Sequence, residues 1–155
     1  MKKESVWDYP RPPLIEPCSR EIEIIFGSII AKTNNSYRVL ETSHPPTFYL
    51  PRSSFKEGVL IPIHWKTLCE WKGEAEYFDI KSTDGRISKK GAWSYSSPSQ
   101  DFIKIKGYVA IYPNSVDSCL LNKEEVKSQD GDFYGGWITS DIVGPFKGGV
   151  GSFGW

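Results

Sequence analysis

The sequence predicts a mainly β protein: a single compact antiparallel β-domain, of sandwich or half-barrel kind, with one short helix and packed arms at both ends. Three observations carry this. Short apolar runs recur along 21–130, each closed by Gly, Pro, Asn or Asp, the residues that turns require. A single segment reads as helix. The chain is also rich in rings, 14% of 155 residues with six tryptophans, and aromatics serve cores first and flat-ligand surfaces second.

Residues 1–20 read as an arm. Tyr9-Pro10-Arg11-Pro12-Pro13 and Glu16-Pro17 favour extended polyproline geometry and cannot form an inner strand, because proline offers no amide donor. Trp7, Tyr9, Leu14 and Ile15 are apolar enough to pin the arm along the body. Strand signals begin at Glu21. Runs at 21–26, 29–32 and from Tyr37 onward, separated by Gly27-Ser28 and Asn34-Asn35, predict a three-stranded meander. In the third run, alternation places Tyr37, Val39 and Glu41 on one face and Arg38, Leu40 and Thr42 on the other. Beyond it, His44-Pro45-Pro46 makes a stiff corner, since each proline biases the preceding residue to extended backbone.

The apolar run 59–63 contains Pro62 and therefore reads as an edge. Cys69 and Trp71 share a face of the next run, 74–83 is a longer strand, and Asp84-Gly85 turns it back so that Trp93 and Tyr95 lie together. Ser97-Pro98 followed by Asp101 and Lys104 predicts the short helix, with a serine cap, an early acid and a late base. The run 108–112 is a strand ended by Pro113, and Asn122-Lys123 is a polar turn after Cys119-Leu120-Leu121. The stretch 131–155 is rich in glycine but carries Phe133, Tyr134, Trp137, Ile142, Val143, Phe146, Phe153 and Trp155. A flexible linker lacks such anchors, so a second packed arm is expected.

Nineteen basic residues balance nineteen acidic ones, so no net field draws the chain to nucleic acid or to an anionic membrane. No apolar run approaches the roughly 20 residues of a spanning helix, and the first residues lack the apolar centre of a signal peptide. A cytoplasmic protein with neither nucleic-acid nor membrane partners is expected. Cys18, Cys69 and Cys119 are odd in number and far apart, without a C-x-x-C pair, and the histidines are His44 and His64. No disulfide framework, metal site or cofactor is therefore expected.

Two constellations carry candidate chemistry. Trp71, Trp93, Tyr95, Tyr108 and Tyr112 lie on separate strand segments, each with its rings on one face, and Tyr49 closes the corner. If those faces converge they wall a pocket for a planar or cationic ligand; otherwise they are plain core. Arg38, Glu41, Thr42, His44 and Lys72 are the polar set. A histidine beside a carboxylate and near a cation does acid–base work or grips an anion; the plain alternative is a solvated corner with a local ion pair. Cys69 is the candidate nucleophile, against its reading as a small buried hydrophobe. Gly144-Pro145-Phe146-Lys147-Gly148-Gly149 lacks the P-loop spacing.

Arg38-Val39-Leu40-Glu41-Thr42-Ser43-His44-Pro45-Pro46, Cys69-Glu70-Trp71-Lys72-Gly73, Ala92-Trp93-Ser94-Tyr95 and Gly107-Tyr108-Val109-Ala110-Ile111-Tyr112-Pro113 resemble the family called domain of unknown function 427. The ending, from Phe133-Tyr134-Gly135-Gly136-Trp137-Ile138-Thr139 through Gly144-Pro145-Phe146-Lys147-Gly148, resembles that of its longer single-domain members. The resemblance implies a small, mainly β, mostly bacterial protein, similar to β-tent domains, some of which hold flat ligands in aromatic cages. Many of those domains carry zinc on paired C-x-x-C knuckles, which this chain lacks. The family is also labelled nucleotidyltransferase; here no Gly-Ser is closely followed by the Asp-x-Asp pair with which such transferases hold magnesium.

Three functions follow as expectations. The first is a domain that binds a small planar or anionic ligand between the Arg38–His44 corner and the aromatic face. The second is an enzyme using His44 with Glu41, or Cys69. The third is a structural module whose arms complete a fold or a homodimer.

Overall fold

A computed structural model describes residues 3–130, 134–148, 151–152 and 154–155. The longer strands are β1 (Leu14–Cys18), β2 (Ile22–Phe26), β3 (Ser28–Thr33), β4 (Ser36–Leu40), β5 (Thr47–Tyr49), β6 (Leu60–Cys69), β7 (Gly73–Lys81), β8 (Ile87–Ser94), β9 (Val109–Ile111) and β10 (Ser118–Leu121). One antiparallel sheet runs β1-β4-β5 and another β9-β8-β7-β6. They meet edge to edge where Leu50 and Val109 exchange two backbone hydrogen bonds of 2.8 Å. A further sheet, in the order of the short strand Glu124–Glu125, then β10, β2 and β3, packs against this joined surface.

The period-two pleat divides the joined surface into two faces. Phe48, Leu50, Phe78, Ile80, Val109 and Ile111 turn toward β2 and β3 and bury against Ile22, Ile24, Phe26 and Ile30. Val39, Tyr49, Tyr77, Trp93, Tyr95 and Ala110 turn the other way and form a second, aromatic cluster. This second face positions the site.

Several local expectations appear in the fold with their causes. β6 is an edge strand, as Pro62 requires, and its register shifts between Pro62 and Lys66. Asn122 and Lys123 both adopt left-handed backbone, φ 48° and 70°, and return the chain to Glu124. The helix is the 3₁₀ helix Gln100–Ile105, which buries Phe102 and Ile105.

The meander is corrected. β2 and β3 pair around Gly27-Ser28, but β4 leaves them for a ladder with β1 and β5. The competing partner is the N-terminal arm, which pairs with β4 from Leu14↔Leu40 to Cys18↔Ser36 and can do so with Pro17 because β1 lies at a sheet edge.

Both arms are packed. Glu4–Ser5 pairs in parallel with Ile142–Val143, Val6 is fully buried, and the Trp7 and Trp155 rings meet edge-on at 5.2 Å. Trp137 is also fully buried, stacks at a tilt on Phe48, and donates its Nε1–H to the Ile111 carbonyl at 3.2 Å. Phe133 and Phe153, also expected as anchors, lie outside the described residues. Cys18, Cys69 and Cys119 are free thiols. Among the described residues no helix is long and apolar enough to cross a membrane.

Candidate functional site

The aromatic face carries a cavity of about 300 Å³. Trp93, Tyr95, Tyr49 and Tyr77 form its floor, supplied by β8, the residue after it, β5 and β7. Cys69, Trp71 and Lys72 come from the end of β6 and the turn into β7. Val39, Glu41 and His44 form the side at the proline corner, while Gln129, Tyr134, Gly135 and Lys147 cover it from the C-terminal segment.

The floor is uncharged at neutral pH. Burial pushes the Tyr49, Tyr95 and Tyr112 phenols above the ordinary tyrosine range. Their polar tips are partnered: Trp93 Nε1–H donates to the Tyr49 hydroxyl at 3.3 Å, and the Tyr77 and Thr67 hydroxyls lie 3.1 Å apart. The rings pack as core does, with Trp93 4.5 Å from Tyr112 and 6.3 Å from Tyr49 between centroids. The same residues thus serve as core on one side and as cavity wall on the other.

Lys72 supplies the charge beside this floor. Its Nζ lies 6.0 Å from the Tyr95 ring centre and 5.7 Å from that of Phe102. Among the described residues no carboxylate oxygen lies within 4.0 Å of it. Burial, the largest influence on it, pulls its pKa down; Tyr49, Cys69 and Glu41 push it up by more, so it stays an ammonium. The Lys72 charge thus stands largely out of water, with Glu41 acting on it only from beyond ion-pair distance among the described residues.

The corner is held from both arms. Ser43 takes a left-handed φ of 72°; its N–H donates to the Val6 carbonyl at 3.0 Å, and its own carbonyl accepts from Lys147 N–H at 2.8 Å. Its fully buried Oγ makes no hydrogen bond among the described residues. His44 Nδ1 lies 2.9 Å from the Thr42 carbonyl, and because a carbonyl only accepts, Nδ1 carries the proton. Glu41 Oε2 is 3.9 Å from Nδ1 and 3.7 Å from Arg11, so its charge is compensated from outside the cavity. Burial lowers the His44 pKa and Lys147 and Arg11 add to that, against Glu41 and the Thr42 carbonyl. Imidazole is therefore the neutral-pH form.

Of the residues singled out in the sequence, Glu41, His44, Tyr49, Cys69, Trp71, Lys72, Trp93, Tyr95 and Tyr112 come together around the cavity. Arg38, Thr42 and Tyr108 do not line it. Strand alternation sends Arg38 to the opposite face, where it donates to both Glu4 oxygens at 2.9 Å and to Glu16 at 2.9 Å. Thr42 turns the same way and donates its hydroxyl to the Tyr9 carbonyl. Tyr108 packs on Tyr37, 5.4 Å between ring centres. Thr47, Thr67, Glu70, Tyr77, Gln129, Tyr134 and Lys147 also line the cavity and were not singled out in the sequence. Tyr77 and Thr67 carry legible signals, since Tyr77 alternates with Phe78 along β7 and Thr67 shares a face with Cys69 along β6; Gln129, Tyr134 and Lys147 depend on how distant segments fold back.

The fold and cavity define a class: a small antiparallel β protein with an aromatic, lysine-bearing pocket on one sheet face. The chain belongs to the family described as Domain of unknown function (DUF427), whose model matches residues 14–122. No curated protein matches the chain. The match ends before Gln129, so the cover formed by Gln129, Tyr134, Gly135 and Lys147 lies outside the matched stretch. Among the described residues no His, Cys, Asp and Glu side chains group so as to hold a metal ion.

Proposed function

We propose that the protein binds a small, flat, anionic molecule in this cavity. The observation that carries the reading is Lys72: an ammonium beside the Tyr95 and Phe102 rings, with no ion pair among the described residues. A desolvated charge with no contacting carboxylate among the described residues is costly to hold, and an incoming anion supplies one. Trp71, Trp93 and Tyr95 supply ring surface for a flat body. The volume lies at the low end of small-molecule sites, which suits a ligand of one or two fused rings.

The test is a melting screen of the purified protein against flat acids and their neutral analogues. A ligand of the native state raises the melting temperature, by about 2.7 kcal/mol of stability at a hundredfold excess over Kd. The acids should shift melting and the neutral analogues should not. A screen in which no flat acid shifts melting contradicts the proposal.

A second reading is an enzyme that uses His44 as acid or base. It is favoured by the His44–Glu41 pair and by Cys69 lining the same cavity. Turnover of a bound flat acid, lost on His44→Gln with binding retained, would favour it over binding alone.

A further inference from the structure

We infer that the ligand carries, on one flat ring system, both an anionic group taken by Lys72 and a hydrogen-bond donor taken by Nε2 of His44. This rests on the proposal above and narrows it to a chemical class: hydroxylated or N–H-bearing aromatic acids. Thr42 offers His44 a carbonyl, which fixes the proton on Nδ1 at 2.9 Å. A neutral imidazole has a single N–H, so Nε2 presents a lone pair and accepts. Nε2 makes no hydrogen bond among the described residues, and it is not sealed off from solvent as the Ser43 hydroxyl is.

The surroundings keep His44 in that state and that place. Its ring meets Tyr134 edge-on at 5.1 Å. Burial disfavours the imidazolium, as do Lys147 and Arg11. The corner backbone is tied to both arms through Ser43. His44 and Lys72 thus stand on different elements around one cavity, one fixed as an acceptor and the other as a cation, and aromatic rings line the same cavity. A neutral acceptor discriminates strongly, because a ligand without a donor displaces water from Nε2 and leaves it unpaired.

Isothermal titration at neutral pH tests this with defined probes: 4-hydroxybenzoate and 6-hydroxy-2-naphthoate, the methyl ether of each, and the methyl ester of each. The two ring sizes cover the separation between the polar groups. The expected result is that at least one hydroxy acid binds about tenfold or more tighter than both its ether and its ester. Lys72→Met should abolish the preference over the ester and keep that over the ether; His44→Phe should do the reverse. Acids and ethers binding alike would overturn the donor requirement while leaving the anion site standing. Esters binding as well as acids would overturn the role of Lys72. No binding by any probe would overturn the pocket reading together with this one. The comparison within the unmodified protein decides these outcomes even where a variant fails to fold.

Discussion

Gly135 lies on the indole of Trp93 so closely that a Cβ built on it would stand 2.1 Å from Cη2. Only hydrogen fits between the C-terminal segment and the floor of the cavity. At Gly136 the same construction meets Gln129 Oε1 at 2.6 Å and Pro45 at 2.7 Å. Two adjacent glycines therefore let one stretch of backbone close on both the floor and the proline corner, and they carry Tyr134 into the cover.

Gly135→Ala is expected to destabilise the protein by about 1–3 kcal/mol, the usual cost of overpacking a core. The indole is buried, 6% exposed, and is held by its hydrogen bond to Tyr49 and its contact with Tyr112. Urea denaturation checks this: the midpoint should fall, and an unchanged midpoint would mean that the segment lifts freely from Trp93.

Arg38→Ala should lower stability and leave ligand affinity alone. Its side chain is 9% exposed and holds Glu4 and Glu16, which tie the N-terminal arm to β4. Both carboxylates are partly exposed and can rehydrate, so the loss is about 1–3 kcal/mol rather than that of a fully buried pair. Denaturation and titration of the variant read the two effects separately; a loss of affinity with unchanged stability would place Arg38 at the ligand.

Stability should also depend on pH through His44. Its folded pKa is below the ordinary 6.5, chiefly through burial. Between that folded value and 6.5 the unfolded chain binds more protons, so the His44 contribution is fully present above 6.5 and is lost as pH falls toward the folded value. The groups that face it are Glu41, Arg11, Lys147 and Tyr134. The Glu4 carboxyl, held below its ordinary 4.5 chiefly by Arg38, loses its contribution at lower pH and does not obscure this window. His44→Gln should flatten the curve of unfolding free energy against pH just below neutrality; an unaltered slope would assign the dependence to another group.

Much of the site was legible because its logic is local. Alternation along β4 separates Val39 and Glu41 from Arg38, and the same rule sets Trp93 and Tyr95 on one face around the strand end. Pro45 and Pro46 mark the corner and Pro62 the edge. The pairing of β4 was not legible, because the choice between β3 and the arm is decided by a ladder whose strands are distant in sequence. Lys147 and Gln129 were hidden for a similar reason. Their place in the cavity depends on a chain reversal in which the Gln129 side chain donates to the Lys147 carbonyl at 2.7 Å and accepts from Gly136 N–H at 3.1 Å.

The central claim is that Lys72 is held for a ligand and not for the fold, and melting of Lys72→Met with and without 6-hydroxy-2-naphthoate tests it most directly. Methionine keeps the apolar stem and removes the ammonium, while the Lys72 carbonyl still accepts from Ser99 N–H at 2.9 Å. Removing a desolvated charge that has no contacting carboxylate among the described residues should leave the ligand-free variant as stable as the parent, or more stable by about 0.5–2 kcal/mol, because site groups are seldom optimal for stability. The naphthoate should raise the melting temperature of the parent by clearly more than that of the variant, which keeps only the His44 contact. A ligand-free variant that melts well below the parent, together with an equal response of both proteins to the naphthoate, would contradict the account and make Lys72 a structural residue.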